Sequence, residues 1–288
     1  MAESNVIYFS GLVPQYHPDF LTRLSAVLEN SGVKYGLLPN TKDIWCRDYM
    51  PVLIPAGVER AFADVEDTFI LFKYSPSYLQ TKKWRPTITD AVKVCQEIGI
   101  KPWIIDLVVD GGNIVRFGWK AVMTERVYQE NPSYRKSGLH AMLMDLLNVD
   151  ELIMIPVEPG DPFGHADGCV RFVDNKTVLI NNQLTGQEAF GKKLRSVLLK
   201  HGLQWAEMPY FIENDPKNKD SAVGNYINFL EVGDLLLVPA YENYDRSNNL
   251  AVDVLRKAFG PSKQVVPVES TSVAKEGGVL NCVSWNFC

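Results

Sequence analysis

Asn113-Ile114-Val115-Arg116-Phe117-Gly118-Trp119-Lys120-Ala121-Val122-Met123 holds two short apolar runs about a Gly-Trp pair, the pattern of a tight β-hairpin. Helical spacing of apolar residues follows over 138–147, and Leu152-Ile153-Met154-Ile155 reads as one more strand. Strand, strand, helix, strand is therefore the unit to look for elsewhere in the chain.

It returns. Tyr226-Ile227-Asn228-Phe229-Leu230 and Leu235-Leu236-Leu237-Val238 flank Gly233-Asp234; a helix is expected over 248–259 and a strand over 264–268. A third copy runs from Cys169-Val170-Arg171-Phe172 and Val178-Leu179-Ile180, through a helix over 187–199, to a strand over 204–207. A less regular one uses 50–54, 69–72, a helix over 87–98 and a strand over 102–107. The fifth is split: 279–285 reads as a hairpin without a helix, while the amino terminus offers a strand (6–9), a helix (18–29) and a strand (33–37) that lack a hairpin. Joining the two ends would close a ring. A repeat of roughly 55–60 residues is the mark of radially repeated folds, in which each unit covers its neighbour's apolar face. The same α/β elements would also build an ordinary open sheet.

The chain has 288 residues, 46% of them hydrophobic and 22% charged, enough apolar material for a packed core and unlike a disordered chain. A net charge of −5 gives no support to nucleic-acid binding. The amino terminus has no basic segment before an apolar core, and no apolar run nears the ~20 residues of a membrane span, so a soluble, unprocessed protein is expected. Five cysteines (Cys46, Cys95, Cys169, Cys282, Cys288) form no Cys-x-x-Cys pair, which suits a reducing, cytoplasmic setting. Residues 214–220 read as a solvated loop, not a domain boundary.

Five polar clusters stand out: Trp45-Cys46-Arg47-Asp48, Asp110-Gly111-Gly112-Asn113, Gly164-His165-Ala166-Asp167-Gly168, Gly224-Asn225-Tyr226-Ile227-Asn228-Phe229 and Gly277-Gly278-Val279-Leu280-Asn281-Cys282. From Asp48 to Asp110, His165, Asn225 and Cys282 the steps are 62, 55, 60 and 57 residues, the period of the repeat itself. In a ring, equivalent positions converge on the axis, so these clusters point to one central site. They bring together a thiol (Cys282), an imidazole (His165) and three carboxylates (Asp48, Asp110, Asp167). A thiolate beside a cationic partner is a strong nucleophile at neutral pH, and several carboxylates suit a cation, above all a planar guanidinium whose forked N–H groups they accept pairwise. Asp167, two positions after His165 on a strand-like element, is expected to share its face.

Each residue also has an ordinary structural explanation. Buried cysteines are commonly inert, loop aspartates commonly bond nearby backbone N–H groups, and Trp45 suits core packing as well as stacking on a cation. Cys46, Cys95 and Cys169 are core candidates, and Cys288 is a terminal thiol. Asn225 and Asn228 are expected to brace a strand end. Gly111-Gly112 lacks the spacing of a phosphate loop.

In this order, Trp-x-Arg-Asp, Asp-Gly-Gly-Asn, Gly-His-x-Asp-Gly-x-x-Arg-Phe, Asn-Tyr-x-Asn-Phe and Gly-Gly-x-x-x-Cys resemble the agmatine deiminases and bacterial peptidylarginine deiminases of the guanidine-modifying superfamily, over residues 45–282. The resemblance implies a five-bladed pseudo-symmetric α/β propeller of ββαβ units forming a single catalytic domain over 1–288. It also implies cofactor-free, metal-free hydrolysis of a guanidino group to a ureido group and ammonia. Cys282 resembles the nucleophile that forms a thiouronium intermediate, and His165 the general acid and base. Asp48 and Asp167 resemble the pair that grips the guanidinium, with Asp110, Trp45 and Asn113 as further candidate substrate contacts. At Asp110 the agmatine deiminases usually carry Glu. Arg171 is expected to pair with a carboxylate or to support its loop. The substrate would be a small cationic guanidino compound: agmatine, arginine or peptidyl-arginine. Three other readings stand beside it: amidino transfer to an amine, a noncatalytic binding protein, and a metal-dependent hydrolase using His165, Asp167 and Cys282.

Overall fold

The structure, a computed structural model, describes residues 6–55, 68–182, 187–213 and 218–286. Cys288, residues 1–5 and residues 214–217 of the polar loop lie outside the described residues. Among the described residues, fifteen strands form five three-stranded sheets. In chain order they are β1 (Val6–Ser10), β2 (Lys34–Leu38), β3 (Val52–Ile54), β4 (Thr68–Lys73), β5 (Trp103–Val108), β6 (Val115–Phe117), β7 (Lys120–Thr124) and β8 (Glu151–Ile155). The rest are β9 (Val170–Phe172), β10 (Thr177–Asn181), β11 (Gln204–Met208), β12 (Leu230–Val232), β13 (Leu235–Ala240), β14 (Gln264–Glu269) and β15 (Ser284–Asn286).

Every sheet follows one pattern: a short inner strand pairs antiparallel with the middle strand, which pairs parallel with the outer one. Thus Val122 on β7 faces Val115 on β6 and Ile153 on β8, and Leu237 on β13 faces Leu230 and Val266. A parallel pair needs a crossover. The helices Pro18–Asn30, Ala91–Glu97, Lys136–Leu147, Glu188–Lys200 and Asp245–Phe259 supply the five. Each buries an apolar stripe at helical spacing, such as Phe20, Leu24 and Leu28 in the first, every such side chain contributing roughly 1.5–3 kcal/mol. The helix expected over 87–98 starts only at Ala91, because Asp90 accepts the Lys93 N–H at 3.3 Å and caps it there. Asn148, at φ 51°, ends the Lys136–Leu147 helix in the left-handed conformation that Asn tolerates.

The two termini complete one sheet. β15 lies antiparallel on β1, with Ile7 opposite Asn286 and Phe9 opposite Ser284. Residues 280–283 are turns, however, so the hairpin expected over 279–285 is a turn followed by a three-residue strand whose partner comes from the other end of the chain. The middle residues of the five inner strands, Leu53, Arg116, Arg171, Glu231 and Trp285, all line one cavity of about 400 Å³. An open sheet cannot bring them together. The sheets are therefore blades around an axis, the five-bladed α/β propeller. Among the described residues no helix is long and apolar enough to cross a membrane.

Candidate active site

The inner strands start later than their apolar patterns suggest. Cys46–Tyr49 is a single helical turn before β3; Gly111–Asn113 and Ala166–Gly168 are 3₁₀ turns before β6 and β9. In the fourth blade Tyr226, Ile227, Asn228 and Phe229 are all buried, with none of a strand's alternation, and the chain turns through them into β12. A turn aims successive side chains around the axis instead of to opposite faces. His165 and Asp167 thus share the site through a 3₁₀ turn, not through a common strand face.

His165 sits between two carboxylates. Its Nε2 is 2.9 Å from Asp110 Oδ2, and its Nδ1 is 3.4 Å from Asp48 Oδ1. Tyr78, from the 3₁₀ turn Ser77–Leu79, donates its hydroxyl to Asp110 Oδ2 at 2.8 Å. Asp48 Oδ1 also accepts the Gly112 N–H at 3.0 Å. A Cβ at Gly112 would lie 2.6 Å from that oxygen, 2.9 Å from His165 Nδ1 and 3.3 Å from Asp167 Oδ1, so only glycine fits among the three side chains.

Asp167 Oδ2 accepts from Asn228 Nδ2 at 3.1 Å and Asn281 Nδ2 at 2.6 Å, and the Cys282 sulfur is 3.7 Å away. Asn228 turns its own oxygen to the Cys282 N–H at 3.2 Å. The Arg47 N–H donates to the Cys282 carbonyl at 3.2 Å, tying the turn that carries Asp48 to the turn that carries the thiol. Trp45 lies against Gly278, where a Cβ would come within 2.5 Å of the indole and 2.9 Å of Cys282 Cβ. Asp167 Oδ1 is left without a hydrogen-bond partner among the described residues.

Burial alone would push the His165 imidazole down, but the Asp48 charge, the Asp110 hydrogen bond and the Asp167 charge outweigh it and hold it up at about 10. Two carboxylates facing two ring nitrogens call for two N–H donors, so the ring is an imidazolium at neutral pH. Burial raises Asp48, with His165 pulling it back. The Cys282 thiol is pushed well up by burial and then by Asp167 and Asp48, so in the free protein it keeps its proton. Among the described residues no group of three or more His, Cys, Asp and Glu side chains is placed to hold a metal ion.

The family model of the Porphyromonas-type peptidyl-arginine deiminases matches residues 22–287. The chain belongs to this family. It is a hydrolase of the class that acts on the C–N bonds of amidines. Agmatine deiminase from C. jejuni superposes with a TM-score of 0.75 at 18% identity, covering 99% of this chain and 93% of that one. The Enterococcus faecalis agmatine deiminase gives 0.71 at 16%, covering 98% and 93%. DDAH from Pseudomonas aeruginosa gives 0.56 at 12%, covering 98% and 99%. At these identities the likenesses speak for the fold. No curated protein matches the sequence.

In this deiminase-family chain Cys282, His165 and Asp167 line one cavity of about 180 Å³, with Asp48 and Asp110 at the two nitrogens of the imidazole. Glu158, Asp161 and Asp220 add carboxylates to its wall, opposed by Lys219, and Phe163 and Tyr210 add aromatic surface. Asn113 is differently placed: its Oδ1 accepts the Thr124 N–H at 2.9 Å, which ties the turn to β7. Arg171 pairs with no carboxylate among the described residues; it donates to the Phe229 carbonyl at 2.8 Å and stacks on the Phe229 ring. Asn225 Nδ2 donates to the Gly168 carbonyl at 3.3 Å, and Asn228 bridges Asp167 and Cys282. Cys46, Cys95 and Cys169 are buried. Two residues that the structure places in this cluster were not singled out in the sequence. Tyr78 sits in a connection with no motif, whereas Asn281 had a signal, being the neighbour of the candidate nucleophile.

Proposed function

We propose that this chain hydrolyses the guanidino group of agmatine or a related arginine-like compound to a ureido group and ammonia, all five repeats serving as one catalytic domain without a cofactor. The observation that carries the reading is the convergence, from separate blades, of a thiol, an imidazolium held between two carboxylates, and a further carboxylate on one small acidic cavity. A guanidinium entering it would offer N–H groups to Asp167 Oδ1 and to Asp48, and its carbon would face Cys282.

The substrate's charge also explains how the nucleophile is made. The carboxylates that keep the thiol protonated are neutralised once a cation lies between them, so the thiol gives up its proton to solvent only with substrate bound. The Cys282 sulfur adds to the guanidinium carbon. His165 passes a proton to one amino nitrogen, the C–N bond breaks, ammonia leaves and an S-alkylthiouronium remains. The imidazole, now neutral, takes a proton from water as the oxygen adds to the same carbon; the C–S bond then breaks as the hydroxyl proton passes to the sulfur, releasing the ureido product and restoring the thiol. Asp110 and Asp48 stabilise the imidazolium before it gives up its proton and again once it has regained one. The C. jejuni agmatine deiminase whose cysteine is replaced by serine holds its substrate bound, in keeping with a cysteine that is needed for turnover and not for binding.

Ammonia and ureido product, followed with agmatine, arginine and peptidyl-arginine and no added amine, test this directly. Release of both in equal amounts by the wild type, and a loss of at least ~10²-fold in Cys282→Ser, are expected. Product formation only when an amine acceptor is added would establish amidino transfer instead.

A further inference from the structure

The axis carries a second cavity, about 400 Å³, one layer beyond the catalytic turns and lined by the middles of the inner strands. Its charges are opposite in sense to those of the guanidinium pocket. Arg47, Arg116, Arg171 and Lys263 line it against Glu231 and Asp167. Both carboxylates are already engaged, since Glu231 pairs with Lys263 at 2.8 Å and Asp167 Oδ2 takes both asparagine amides.

The three guanidinia have no such partner. Arg47 donates to the Asn281 carbonyl and Asn286 Oδ1, Arg116 to the Leu53 carbonyl and Arg171 to the Phe229 carbonyl, and among the described residues none is ion-paired. Arg116 Nε is buried with no hydrogen-bond partner at all. Burial pushes Arg116 down to about 10 and Arg171 downward as well, yet both stay charged at neutral pH. Three half-buried cations lining one cavity repel one another and lose part of their hydration, and charges so placed are normally paired.

We infer that this cavity binds one small oxyanion, a phosphate or carboxylate group, whose oxygens accept the unused N–H groups of Arg116, Arg171 and Arg47. Guanidinium forks match oxyanion geometry. Neutral carbonyl partners satisfy some of the N–H groups but none of the charge, which leaves the anion its role. Arg47 would transmit its presence, because the Arg47 N–H holds the Cys282 carbonyl and its side chain faces the second cavity.

Calorimetric titration of the full-length protein with inorganic phosphate, and in parallel with acetate, tests the site. One phosphate per chain is expected, weakened at least ~10-fold in Arg116→Gln, the loss of one charge-assisted hydrogen bond. Acetate competing for the same site extends it to carboxylates; no competition restricts it to phosphate, and either result supports the site. Should Arg116→Gln fail to fold, Lys263→Gln at the same cavity is expected to weaken phosphate in its place. No binding to the wild type at millimolar phosphate, or equal binding in the wild type and both variants, would overturn the inference. The titration needs no turnover, so its outcome is separate from that of the deiminase assay.

Discussion

His165 Nε2 lies 2.9 Å from Asp110 Oδ2 while its Nδ1 lies 3.4 Å from Asp48 Oδ1, so a single imidazole spans carboxylates delivered by two other blades. The three aspartates of the site should therefore differ in what they do. Asp48→Asn and Asp167→Asn remove charge that faces the substrate and should each lower kcat/KM at least ~10²-fold, about 2.7 kcal/mol. Asp110→Asn acts through the imidazole. Its expected signature is a milder fall in kcat with KM little changed and the alkaline limb of the pH profile moved to lower pH, as His165 loses part of the field that holds it up. Steady-state kinetics across pH would decide, and an unmoved alkaline limb in Asp110→Asn would remove this residue from the proton chemistry.

Reactivity of the thiol should depend on the charge of the reagent. With its pKa pushed up by burial, Asp167 and Asp48, Cys282 should react slowly with neutral iodoacetamide at pH 7. A haloacetamidine, cationic and guanidinium-shaped, should alkylate it at least ~10-fold faster, and ahead of buried Cys46, Cys95 and Cys169. Peptide mapping with both reagents checks this. Equal rates, or uniform labelling of the cysteines, would contradict a carboxylate-lined guanidinium pocket.

Gly112→Ala offers a steric test that touches no functional group. The added methyl would lie 2.6 Å from Asp48 Oδ1 and 2.9 Å from His165 Nδ1, closer than carbon and these atoms can approach. Activity should fall by at least ~10²-fold, the scale of a displaced reacting group, with the far-ultraviolet dichroism retained. Near-wild-type turnover would mean that the spacing of Asp48 and His165 is not critical.

Stability should fall on the alkaline side. His165 holds its proton up to about 10 in the fold and to ~6.5 when unfolded. Its contribution is thus fully present below pH 6.5 and lost as pH rises toward 10. Asp43, raised by burial to about 8, acts in the same direction, since the unfolded chain ionises it from about pH 4 upward. The thermal midpoint should therefore decline from pH 6 to pH 9, and Asp43→Asn should flatten the decline. Calorimetric scans across this range test both; a midpoint that rose with pH would reverse the sign of the argument.

The blade pattern was legible because burial on two sides writes itself as apolar runs and crossover helices as 3.6-residue stripes. Closure of the ring was legible only as a complementarity of fragments, a strand lacking a hairpin at one end and a hairpin lacking a helix at the other. The turns were not. At 113–117 and 226–230 the apolar pattern continues unbroken from turn into strand, because a residue at the axis of a ring is buried whatever its backbone conformation. Asp48, Asp110, His165 and Cys282 could be named as candidates since their spacing repeats with the blades, and Asp167 from its place two residues after His165, whereas Tyr78 reaches Asp110 from a connection that obeys no period. The arginines of the second cavity were in view as the repeated Val-Arg-Phe of β6 and β9, but one-dimensional order does not reveal that like charges face each other across an axis.

The pairing of β1 with β15 also has a consequence for how the molecule is made. On the ribosome β1 emerges among the first of the described strands, yet its antiparallel neighbour is the last of them, and until then it carries an open edge of the kind that recruits other chains. Cys282 precedes β15 by a single intervening residue, Val283. The candidate nucleophile and the strand that closes the ring are thus made within the same five residues, 282–286, so the thiol's turn is completed only as the circle itself is closed.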